Sequence, residues 1–198
     1  AGCVCRSGDI GRYVNRRGTA GVTGQSRGRL PGRAKGYMTH LTPDHSLAFI
    51  ERHKAKPFFL YVSHESPHFP FQGPKDAKKR VDKSNWMTLD ADAYVAMLED
   101  LDREVGRVLA ELKKHGLEKN TLVIFVSDNG GFAGAANMGP LNGAKSTTLE
   151  GGIRVPLIMR WPGRIRAGTT SHQVCATFDL TRSILNLAQA KVPANRLD

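Results

Sequence analysis

The chain has 198 residues, 40% of them hydrophobic, and a formal net charge of +11. That is long enough for one domain with a real core, and no apolar stretch approaches the ~20 residues of a membrane helix. Three cysteines, Cys3, Cys5 and Cys175, make no disulfide framework, and Cys3-Val4-Cys5 has no partner pair or histidine at zinc spacing.

The charge is unevenly placed. Residues 1–35 carry eight Arg/Lys against Asp9, a net +7, which leaves +4 of the +11 for residues 36–198. The first segment is rich in Gly and Arg, as in Arg16-Arg17-Gly18 and Ser26-Arg27-Gly28-Arg29, and sustains no helical or strand period. It is expected to be disordered by itself, or a non-native start. Arg-Gly tracts also bind polyanions, but only Tyr13 interleaves the arginines, so nucleic acid is not the expected partner. Residues 1–35 contain no apolar h-region of a signal peptide.

From Gly36 the pattern changes. Leu47, Phe49 and Ile50 mark a short helix over 43–53, which Lys56-Pro57 ends. Phe58-Phe59-Leu60-Tyr61-Val62 reads as a buried strand. It empties into Ser63-His64-Glu65-Ser66-Pro67-His68-Phe69-Pro70, whose two prolines fix the loop's path. Tyr94, Met97, Leu98, Leu101, Val105, Val108, Leu109 and Leu112 then follow the 3.6-residue period. They predict a helix over 91–115, with Asp90 as N-cap and Gly116 as stop. Glu99, Arg103, Glu104, Arg107, Lys113 and Lys114 would form its solvated face.

Residues 121–127 predict a second buried strand and 155–161 a third, which stops at Pro162-Gly163. Residues 173–177 suggest a short strand, and Asp179 could cap a final helix through Ala188. This order predicts an α/β domain with a mostly parallel sheet flanked by helices. Sites in such sheets gather beyond the strand carboxyl ends, where His68, Asp128 and Asn129 fall.

Asp128-Asn129 places a carboxylate and an amide oxygen side by side, a hard-donor pair suited to Ca²⁺ or Mg²⁺. Gly130-Gly131 permit the sharp turn that two adjacent ligands require. Asp-Asn-Gly is equally good chemistry for an ordinary turn closing a strand. Lys145, in a loop of small residues, could meet a bound oxyanion as a point charge, or simply be exposed. His68, between Pro67 and Pro70, could donate to a ligand oxygen or protonate a leaving group, or be a surface histidine. His64 is a weaker candidate in the same loop. The other five histidines have no comparable context.

These groups jointly resemble the sulfatase family, of arylsulfatase and N-acetylgalactosamine-6-sulfatase-like type, within the alkaline-phosphatase-like superfamily. The resemblance covers residues 36–193. It rests on Gly36-Tyr37-Met38-Thr39, on Lys56-Pro57-Phe58-Phe59-Leu60-Tyr61 leading to Pro67-His68-Phe69-Pro70, and on Asp100-Leu101-Asp102 with Val105-Gly106. It continues through Asn120-Thr121-Leu122 to Gly130, then Pro140-Leu141, Gly143, Lys145, Thr147-Thr148, Glu150-Gly151-Gly152-Ile153-Arg154-Val155-Pro156 and Trp161-Pro162-Gly163. It implies that Asp128 and Asn129 are two ligands of a divalent cation, usually calcium. It further implies that Lys145 binds the sulfate and steadies the leaving oxygen, and that His68 contacts the ester near that oxygen. The implied reaction is hydrolysis of a sulfate ester, on an aryl sulfate or a sulfated glycan. A formylglycine made from cysteine supplies the attacking hydroxyl as its hydrate.

Three family features are absent from the sequence: the N-terminal paired aspartates, the Cys-x-Pro-Ser-Arg nucleophile motif and the upstream lysine-x-histidine. Within the matched region His40 stands where aspartate is common. Ala144 and Ser146 flank Lys145 where glycines are usual, and Leu149 replaces a frequent tyrosine. The expectation is a C-terminal part of a sulfatase catalytic domain over 36–198, inactive alone, whose partner is the missing N-terminal half. By family it would be periplasmic or secreted. A phosphodiesterase or phosphonate hydrolase of the same superfamily, and a non-catalytic polyanion-binding remnant, are the alternatives.

Overall fold

The computed structural model describes residues 2–4, 36–78, 84 and 87–190. The expected disorder and polyanion role of the Arg/Gly segment lie outside the described residues, apart from a three-residue strand, β1 (Gly2–Val4). The remaining elements in chain order are α1 (Met38–His53), β2 (Phe59–Tyr61), α2 (Ala91–Lys114), β3 (Val123–Val126), α3 (Glu150–Ile153), β4 (Leu157–Arg160) and α4 (Thr177–Leu187). No helix among the described residues is long and apolar enough to cross a membrane.

The mostly parallel sheet is not there. Among the described residues the strands form two separate pairs. β1 runs parallel to β2, with Cys3 opposite Leu60, and β3 runs antiparallel to β4, with Phe125 opposite Ile158. Strand–helix–strand order suggested crossover units, but β2 and β3, on either side of α2, do not pair. The connection from β3 to β4 carries only the single turn of α3 and returns the chain antiparallel. An apolar run cannot distinguish these arrangements, because either one needs the same residues. Nor are the strands fully buried: Phe59, Tyr61, Phe125 and Ile158 are all exposed.

The helices follow their sequence signals more closely. Asp90 Oδ1 accepts from the Ala93 N–H at 2.9 Å, capping α2. At the other end Gly116 adopts φ +69°, its N–H reaches the Lys113 carbonyl, and the Leu117 N–H reaches that of Leu112. That pair of bonds is the Schellman termination for which glycine is suited. α1 starts five residues earlier than expected, with Pro43 inside it and buried. α4 begins at Thr177, where a strand was expected. Asp179 sits in its first turn and accepts from the Ala176 N–H at 2.7 Å, so it closes the helix start from within.

α1 packs along α2. Phe49, Ile50, Leu101 and Leu112 are buried, and Phe71, Ala93 and Met97 form a cluster. Phe69, Tyr94, Phe132 and Ala135 pack onto that cluster, which brings the loop after β2 against the loop after β3.

Candidate active site

Asp128 and Asn129 follow β3 directly. Asn129 Nδ2 donates to the Gly130 carbonyl at 2.9 Å, and Ser127 Oγ donates to the Asn129 carbonyl at 2.8 Å. The amide nitrogen is thereby used, and Oδ1 is the atom left to ligate. Asp128 is exposed, and its carboxylate has no hydrogen bond or ion pair among the described residues. Two unpartnered hard oxygens on consecutive residues fit a cation such as Ca²⁺ or Mg²⁺. They are two donors out of the six or more that Ca²⁺ takes.

Glycines fold the loop 127–152 back on itself. The Gly130 N–H donates to the Gly152 carbonyl at 2.8 Å, and the Gly151 N–H to that of Asn142 at 2.7 Å. A Cβ on Gly151 would lie 2.2 Å from the Gly143 carbonyl oxygen, and one on Gly152 2.2 Å from that of Thr147. Only backbone without side chains passes this closely. The fold-back carries Lys145 to the loop of Asp128 and Asn129, where its N–H donates to the Gly131 carbonyl at 2.9 Å. Thr147 Oγ1 donates to the Ala144 carbonyl at 2.8 Å and closes the turn around Lys145.

His68 comes from the loop after β2, between cis peptide bonds at Ser66–Pro67 and Phe69–Pro70. It is exposed, and its Nδ1 lies 2.8 Å from the Phe69 carbonyl oxygen. A carbonyl only accepts, so Nδ1 carries a proton and Nε2 is the atom free to meet a ligand. The loop is held at both ends by the start of α1. Thr39 Oγ1 and Ser66 Oγ are 3.0 Å apart, and Tyr37 OH donates to the Gln72 carbonyl at 2.8 Å. Burial raises the Tyr37 pKa, which keeps that phenol a donor. Phe69 meets Phe132 edge-on with centroids 5.6 Å apart, which ties the His68 loop to the loop of Asp128, Asn129 and Lys145.

His64 lies deeper than the sequence suggests. Its Nδ1 is buried with no hydrogen-bond partner, and burial pushes its pKa below the ordinary value. A cluster that sequence reading missed lies between α1 and α2, where His40, Asp100 and Glu104 bring one ligand atom each within 4.8 Å of one another. Glu104, expected on the solvated face of α2, is buried. The i, i+4 spacing of Asp100 and Glu104 was a visible signal, but their partner His40 is 60 residues away in sequence.

The sulfatase family model matches residues 5–190. N-acetylgalactosamine-6-sulfatase of Mus musculus is 36% identical over 167 residues, 81% of this chain and 31% of that protein. The uncharacterized sulfatase YdeN of Escherichia coli K12 is 34% identical over 176 residues, 85% of this chain and 30% of the relative. Among solved structures, Ps i-CgsB in complex with k-i-k-neocarrahexaose superposes with a TM-score of 0.71 at 34% identity, covering 80% of this chain and 36% of that one. The chain thus spans about a third of the length of the relatives it matches. A family match over residues 5–190, with a relative 36% identical across 81% of the chain, places this protein in the sulfatase family.

Proposed function

We propose that the chain supplies the leaving-group side of a sulfate ester hydrolase site. The observation that carries this reading is the joining of two loops: Phe69 against Phe132 and Lys145 against Gly131 gather His68, Lys145, Asp128 and Asn129 onto one region. Asp128 and Asn129 would hold a divalent cation, which supplies positive charge to the sulfuryl oxygens when bound. Lys145 donates from Nζ to a sulfuryl oxygen as a fixed point charge. His68, as the imidazolium with its Nδ1–H held by the Phe69 carbonyl, donates the Nε2 proton to the ester oxygen as the alcohol departs. The Cys-x-Pro-Ser-Arg motif that would carry the family's formylglycine does not occur within these 198 residues.

The named relatives act on, or were crystallised with, different partners. One is an N-acetylgalactosamine-6-sulfatase, one a steryl-sulfatase, and one was crystallised with a neocarrahexaose. The proposed substrate class is therefore a sulfate ester of an alcohol or phenol, with sulfated glycans included.

Two measurements test the reading. The DNA upstream of Ala1, read in three frames, should encode paired aspartates and a Cys-x-Pro-Ser-Arg motif. The chain joined to that segment should turn over an aryl sulfate in preference to an aryl phosphodiester, while the 198-residue chain alone should be inactive. Preference for the phosphodiester would move the assignment to that branch of the superfamily. Robust sulfatase turnover by the chain alone would show that the site is complete without further residues.

A further inference from the structure

Outside the loops of the proposed active site, the fold brings together a second set of ligand-type side chains. Asp100 and Glu104 lie one turn apart on the same face of α2, and both are buried. His40, in the first turn of α1, faces them across the helix pair. Its Nε2 lies 2.9 Å from Asp100 Oδ2 and 3.2 Å from Asp100 Oδ1. Asp100 is 0% exposed, yet its Oδ2 makes no hydrogen bond despite the nearby imidazole nitrogen. A fully buried carboxylate oxygen without a hydrogen bond is costly, and its nearest positive partner, the His40 imidazole at 2.9 Å, is charged only when protonated.

The surrounding charges bear on this directly. Arg103 bonds Asp100 Oδ1, Arg107 bonds Glu104 Oε2 at 2.6 Å, and Asp44 takes the other side of Arg107 at 2.7 Å. Both guanidinium groups come from the solvent side, with side chains 63% and 40% exposed. They can turn outward without disturbing the core. Asp100 and Glu104 cannot move in that way, because both are buried on α2.

We propose that His40, Asp100 and Glu104 form a binding site for a divalent transition-metal cation that clips α1 to α2. Imidazole nitrogen with two carboxylates selects Zn²⁺, Co²⁺ or Ni²⁺ over Ca²⁺ and Mg²⁺, which take oxygen alone. The site is separate from Asp128 and Asn129, and it does not depend on the sulfatase reading. Through Thr39, one residue before His40 and 3.0 Å from Ser66, the clip would also steady the start of the His68 loop.

The test is calorimetric titration of the metal-stripped full chain with Zn²⁺, with Co²⁺ absorption as a ligand-field readout. His40→Ala should weaken Zn²⁺ binding at least tenfold and change the Co²⁺ spectrum, while His115→Ala leaves both within twofold. His40 is nearly half exposed, so its alanine variant is expected to fold; Glu104→Gln is the second variant, checked for folding by circular dichroism. Failure of the parent chain to bind Zn²⁺, or parent-like binding by His40→Ala, overturns the proposal. So does loss of binding with His115→Ala alone, which would place the ion at Glu51, Glu111 and His115, whose ligand atoms also lie within 4.8 Å of one another.

Discussion

A Cβ on Gly130 would lie 1.9 Å from the carbonyl oxygen of Gly151, so the backbone after Asp128 and Asn129 runs directly against the turn before β4. Gly130→Ala forces these two segments apart. The expected cost is about 1–3 kcal/mol, the usual range for overpacking, because the obstructing atom is backbone and cannot rotate away. Urea denaturation of the variant measures it. Parent-like stability would mean that the loop has room which this contact denies.

Ser146, beside Lys145, adopts φ +75°. That left-handed conformation costs an L-residue roughly 1–2 kcal/mol, and part of the gain from glycine is lost to unfolded-state entropy. Ser146→Gly should therefore stabilise the chain by about 0.5–1 kcal/mol. A lowered melting temperature would show that the serine hydroxyl contributes more than its backbone conformation costs.

Under the proposed sulfate ester hydrolysis, in which Lys145 meets a sulfuryl oxygen and His68 the leaving oxygen, the two should separate in kinetics once the chain is part of an active enzyme. Lys145→Ala removes a charge aimed at the sulfuryl group and should lower kcat by about 10²–10³. His68→Ala removes a proton donor to the leaving oxygen, worth about 10²–10⁴. The His68 loss should shrink on substrates whose leaving alcohol is more acidic, because such a group needs less protonation. An equal loss across leaving groups would make His68 a binding residue instead.

Phe125 and Ile158 face each other across β3 and β4, and both are exposed. With Phe178 of α4 at 75% exposed, they belong to apolar surface that no described element covers. The chain should self-associate in sedimentation velocity, and Ile158→Lys should reduce this while changing stability by no more than about 0.5 kcal/mol. An unchanged association state would place the contact elsewhere.

How much of this was legible in the sequence depended on range. α2 could be read from its period, its Asp90 cap and its Gly116 stop, all of which act within a turn or two. Three strand positions were legible from apolar runs, while the one expected over 173–177 is absent among the described residues and β1 was unmarked, and the pairing was not legible at all. Whether β3 meets β4 antiparallel or crosses to a parallel neighbour depends on contacts that those residues do not encode locally. The same limit hid Glu104. Its charge argued for solvent, and only the arrival of α1, with Asp44 and His40, explains its burial.

His64 carries the clearest pH signature. Its folded pKa is pushed below the ordinary 6.5 by burial, and no bond holds its buried Nδ1. The unfolded chain therefore takes up this proton at higher pH than the folded one. Its contribution to stability is fully present above pH about 6.5 and is lost as pH falls toward the folded value. Glu51 and Glu111 are lowered from 4.5, first by hydrogen bonds from Lys54 and Lys114 respectively, so their losses begin only at more acid pH. The urea midpoint should fall between pH 7.5 and 5.5, and His64→Gln should reduce that fall. If the variant keeps the whole pH dependence, the proton responsible binds elsewhere, and the buried imidazole is tolerated at no cost in acid.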